Sequence, residues 1–73
     1  MMSVVQAAFN RVFGREVLLR GDTPLSSIGI WNEYAVLIAT ALHESTGAVF
    51  TDGELSSMTT VGDLVFVLEK SAA

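Results

Sequence analysis

The chain has 73 residues, 51% of them hydrophobic and 16% charged, with a formal net charge of −4 and no cysteine. That length holds one domain with one small core, the apolar content excludes a disordered segment, and the missing thiols exclude disulfides and thiolate chemistry. Every charged residue from Asp22 to Glu69 is acidic, which disfavours a phosphate backbone as partner and suits a protein with a basic patch.

Val5, Ala8, Phe9, Val12 and Phe13 follow the i, i+3, i+4, i+7, i+8 spacing of an amphipathic helix. Ser3 is placed to cap its start, and Gly14 to end it in a left-handed conformation. Gln6, Asn10 and Arg11 interrupt the apolar run, so the segment reads as a first helix and not as a signal peptide. No window reaches the ~18 consecutive apolar residues of a membrane span. We therefore expect no membrane partner and a cytoplasmic location.

From Arg15 to Ile30 a short apolar patch, Val17-Leu18-Leu19, gives way to "RGDTPLSSIG", whose glycines, proline and serines make a long loop. Leu25, Ile28 and Ile30 alternate with small residues and are expected to pin that loop to the core. The second helix is expected over 32–46, with Asn32 as a good N-cap and Gly47 as the stop. Its run "YAVLIATAL" is apolar on nearly every face. Two readings follow: a helix buried on several sides, or one whose remainder, including Leu37 and Ala41, meets another chain or a ligand.

Thr51 and Glu54 have the spacing of a capping box, which predicts a short helical turn over 53–58. Thr60 and Asp63 repeat the pattern before a last helix with the apolar stripe Val61, Leu64, Val65 and Leu68. No stretch alternates with period two long enough for a strand. The expected architecture is all-α: one domain over 1–73, a small three-to-four-helix bundle with a long loop between the first and second helices.

Catalytic constellations do not emerge. The carboxylates are dispersed, Ser26 and Ser27 lack nucleophile-elbow glycines, and the single histidine, His43, falls far along the chain as a solvated helix residue. One histidine and no cysteine leave no metal-ligand set, and the glycines form no phosphate-cradling run. The expectation is a protein that is not an enzyme.

The order of parts nevertheless carries a signal. An amphipathic helix, a loop with "DTPLSSIGI", a second helix ending "ALHESTG", a short helix and then "TTVGDLVFVLEK" resemble the acyl carrier and peptidyl carrier protein family across nearly the whole chain. The resemblance rests on the joint spacing of Asp22, Pro24, Leu25, Gly29, Gly47, Thr60, Val61, Asp63 and Leu64. In that family a Gly-x-Asp-Ser-Leu motif opens the second helix, and its serine carries a 4′-phosphopantetheine arm. Here Gly29 and Ile30 match the start of the motif, Trp31 stands in place of the Asp, Asn32 in place of the Ser and Glu33 in place of the Leu. A carboxamide is a poor nucleophile, so the resemblance implies a pseudo-carrier without an arm. The alternative is a genuine carrier with 4′-phosphopantetheine on an unrecognised serine, Ser26 or Ser27 being the nearest.

On the first reading the chain is a non-catalytic interaction module in a fatty-acid, polyketide or nonribosomal-peptide type pathway. Its partner is a biosynthetic enzyme, a synthase module or a second copy of itself. The expected contact residues are Trp31, Asn32, Glu33, Tyr34, Leu37 and Ala41. Trp31 carries two readings: an anchor displayed at the helix start, or a core residue folded onto Ile28 or Leu55.

Overall fold

A computed structural model describes residues 2–72. Among them lie four α-helices: α1 (Met2–Phe13), α2 (Trp31–Thr46), α3 (Asp52–Ser57) and α4 (Val61–Ala72). A single 3₁₀ turn, Leu25–Ser27, interrupts the connection between α1 and α2. The expected all-helical architecture and the long first connection are both present, and no strand occurs among the described residues. None of the helices is long and apolar enough to cross a membrane.

The helices form where the periodicity places them. In α1, Val5, Ala8 and Phe9 are buried on one stripe, and Gly14 turns the chain with φ 67°. Ser3 lies inside α1 (Met2–Phe13), so it does not cap the start as expected. α2 resolves its all-round apolar content into one inward stripe of Trp31, Tyr34, Ala35, Ile38, Ala41 and Leu42. It ends where Gly47 adopts φ 80° and donates its N–H to the His43 carbonyl at 2.8 Å. A side chain at that φ would be strained, which is why a glycine stops the helix there.

The starts of α3 and α4 are capped locally. Thr51 Oγ1 accepts from the Glu54 N–H while Glu54 Oε1 accepts from the Thr51 N–H, a complete capping box. Before α4, Thr60 Oγ1 accepts from the Asp63 N–H, and Asp63 Oδ2 accepts from the Thr60 and Thr59 N–H groups and the Thr59 hydroxyl. These bonds, led by the Thr59 backbone N–H, favour the ionised form and hold the Asp63 carboxyl below its usual range. Val61, Leu64 and Leu68 of α4 are fully buried, as the stripe predicts, whereas Val65 of the same stripe is only partly buried.

The long connection is held at three places. Asn10 Oδ1 accepts from the Val17 N–H at 2.9 Å, and Gln6 Nε2 donates to the Val17 carbonyl, so two polar residues of α1 clasp the backbone of one loop residue while the Val17 side chain enters the core. Farther on, the Val61 and Gly62 N–H groups donate to the carbonyls of Thr23 and Gly21, and the Leu25 N–H donates to Thr59. The loop thereby satisfies amides that the first turn of α4 would leave unpaired. Gly62 permits this approach, since a Cβ there would sit 2.7 Å from the Gly21 carbonyl oxygen. Third, the buried Leu25 anchors the 3₁₀ turn, with Ile28 half-buried beside it. Ile30 does not join them; it is 65% exposed because it immediately precedes α2 at the surface.

Candidate functional site

The site singled out by the sequence is the first turn of α2. The N-cap there is Ile30, an extended residue with no side-chain cap, so Asn32 does not cap the helix as expected but occupies its second position. The turn is held instead by the two aromatic residues that flank Asn32 and Glu33. Trp31 is only 8% exposed, and its indole Nε1–H donates to the Leu55 carbonyl at 2.6 Å, tying α2 to α3. The Tyr34 hydroxyl donates to the Leu25 carbonyl, tying the same turn to the loop.

Around these bonds the aromatic rings pack edge to face. Tyr34 lies 5.0 Å from Trp31, 5.1 Å from Phe13 and 5.9 Å from Phe9, centroid to centroid, each at a steep interplanar angle. Burial in this cluster pushes the Tyr34 hydroxyl up to about 12, so it is a fixed neutral donor and not a base.

The structure thus decides between the two readings of Trp31: it is a core residue held against Leu55. Of the six residues expected at a partner contact, Trp31, Tyr34 and Ala41 lie in the buried stripe. Their burial, at 6–8% exposure, corrects the expectation that these three side chains are displayed, since little of each is left for a partner to meet. Asn32 and Glu33 are exposed on the first turn, and Leu37 is 55% exposed one turn farther along. Val36, which the sequence reading passed over, stands beside Leu37 and is 61% exposed. Its signal was available, since it falls between the inward positions Ala35 and Ile38 of the 3.6-residue period.

Asn32 lies between two shallow hollows. One is lined by Ser26, Ser27, Ile28, Gly29, Ile30 and Trp31, and the other reaches α3 through Ala35, Val36, Asp52, Leu55 and Ser56. A carboxamide can donate and accept hydrogen bonds at such a place, but its nitrogen lone pair is delocalised and does not attack phosphorus. A phosphopantetheine arm therefore does not fit the residue present at position 32. Serine hydroxyls line both hollows, Ser26 and Ser27 in the first and Ser56 in the second, and Ser27 Oγ is already bonded to the Pro24 carbonyl at 2.7 Å.

His43 stands at the other end of α2, about 16 Å along the axis from Asn32 at 1.5 Å per residue. It is exposed, as expected, yet its Nδ1 lies 3.0 Å from the Ala48 carbonyl. The first turn of α2 thus offers polar contacts without an acid–base pair. No family model, curated protein or solved structure matches this chain.

Proposed function

We propose that this chain is a carrier-protein-like interaction module that bears no covalent arm. It works by binding a biosynthetic enzyme or synthase module of the fatty-acid, polyketide or nonribosomal-peptide type. The observation that carries the reading is Asn32: an exposed carboxamide on the first turn of the central helix, where the resembling family bears its modified serine. The contact face is the outward side of α2, with Asn32 and Glu33 at its start and Val36 and Leu37 beside them. Exposed apolar side chains next to a carboxylate suit a protein partner with basic and apolar residues.

A second reading, a working carrier, draws on Ser26 and Ser27, which line the hollow that also touches Asn32. One experiment separates the two. The protein is incubated with coenzyme A and a broad-specificity phosphopantetheinyl transferase, and its intact mass is measured. An unchanged mass is expected. The gain of one phosphopantetheinyl group would overturn the pseudo-carrier reading in favour of the loop serines.

A further inference from the structure

The residues between Gly14 and Gly21 take no part in the site at the start of α2. From Glu16 to Arg20 the chain runs without a turn or bend, and exposure alternates along it. Val17 is buried and Leu19 half-buried, whereas Glu16, Leu18 and Arg20 are exposed. That is the period of a β-strand with one face on the core. Leu18 is 85% exposed, more than any other large apolar side chain among the described residues.

The backbone of this stretch is paired on one side only. Val17 gives its N–H to Asn10 Oδ1 and accepts Gln6 Nε2 on its carbonyl, so both of its groups point to α1. In an extended chain the N–H and C=O of the next residue point the opposite way. Those of Leu18 have no partner among the described residues. The open edge is short, because the Arg20 N–H donates to Thr23 Oγ1 at 2.9 Å and the Arg20 carbonyl accepts from the Thr23 N–H at 3.1 Å. Leu18 is thus an unpaired edge residue with a displayed apolar side chain, the kind of edge that takes up another extended segment.

The charges select the occupant. Antiparallel pairing of two copies about Leu18 sets Leu18 opposite Leu18 and Glu16 opposite Arg20, the latter twice by symmetry. Opposite charges facing each other across paired strands are stabilising. Arg15 and Asp22 fall opposite Gly21 and Gly14, so this register creates no like-charged pair. Arg15 and Arg20 also outweigh Glu16, which makes the stretch locally positive in a chain of net charge −4, so two copies repel least here. A Cβ built on Gly14 or Gly21 meets nothing within 4 Å, which leaves both ends of the segment uncrowded.

We infer that the segment 16–20 is a self-association edge. Two copies pair antiparallel across it, exchanging two bonds between the Leu18 N–H and carbonyl groups and closing two Glu16–Arg20 ion pairs. The contact is far smaller than the ~1,600 Å² of a standard interface, so the dimer is weak and concentration-dependent. The inference does not rest on the pseudo-carrier reading, since it uses no residue of α2.

The test follows ¹⁵N amide shifts and sedimentation equilibrium of the whole protein from about 50 μM to about 2 mM, the range that so small a contact calls for. The mass should rise towards the dimer, with shifts centred on Glu16, Leu18 and Arg20. Leu18→Ser should weaken association about tenfold, and so should Glu16→Arg or Arg20→Glu alone, because each reversal sets like charges opposite each other. Mixing the two single reversals, or combining both in one chain, should restore the parent affinity, which a loss of folding would not allow. Phe66→Ser, at an exposed apolar position of α4, should leave it unchanged. A monomer throughout the range, shifts centred on Val36, Leu37 or Phe66, or a mixture of the reversals no tighter than either alone would overturn the assignment.

Discussion

The starts of α2 and α3 solve one problem in different ways. A helix start leaves its first amides without intrahelical partners. At α3 the answer is local: Thr51 and Glu54 bond reciprocally to each other's backbone. At α2 the N-cap is Ile30 with no side-chain bond, and the turn is fixed from outside by the indole of Trp31 on Leu55 and the hydroxyl of Tyr34 on Leu25. The difference teaches where a side chain is released from structural duty. Thr51 and Glu54 are committed to holding α3, whereas Asn32, flanked by two tertiary anchors, is left exposed with nothing in the fold to hold.

The sharpest way to break the comparison is to remove an anchor. Trp31→Ala deletes a buried indole together with its hydrogen bond to the Leu55 carbonyl, so chemical denaturation should show a loss of about 3–5 kcal/mol. A loss below about 1 kcal/mol would mean that the α2 start does not depend on α3. Removing the local cap should cost less: Thr51→Ala is expected to cost about 1 kcal/mol. That loss should appear as faster amide exchange within α3 before it appears elsewhere, because both bonds of the capping box lie within the start of that helix.

Much of the helical skeleton was legible because its determinants are local. The apolar stripes of α1 and α4, the glycine stops at Gly14 and Gly47, and the two capping motifs depend on residues within one or two turns of each other. What could not be read depends on distant partners. Gln6 and Asn10 looked like interruptions of an apolar run until Val17 folded between them. Gly62 looks ordinary in a helix until Gly21 arrives at its Cα.

At the start of α2 the approximate position of the helix was legible, but the orientation of its side chains was not. Trp31 satisfies both a display reading and a core reading at the level of sequence, and the Leu55 carbonyl that decides between them lies 24 residues away. Asn32 has good capping chemistry, but it would cap α2 only if the helix began two positions later, and the N-cap here is Ile30. Ala41 and Tyr34 turned inward with the same stripe that freed Val36 and Leu37.

The most direct measurement is the stability of Asn32→Ala by denaturant unfolding. If position 32 serves binding and not folding, the variant should match the parent within about 0.5 kcal/mol, the range of surface substitutions away from caps and cores. A loss above about 1 kcal/mol would show that Asn32 holds the helix start after all, and would contradict the account of this turn as a surface kept for a partner.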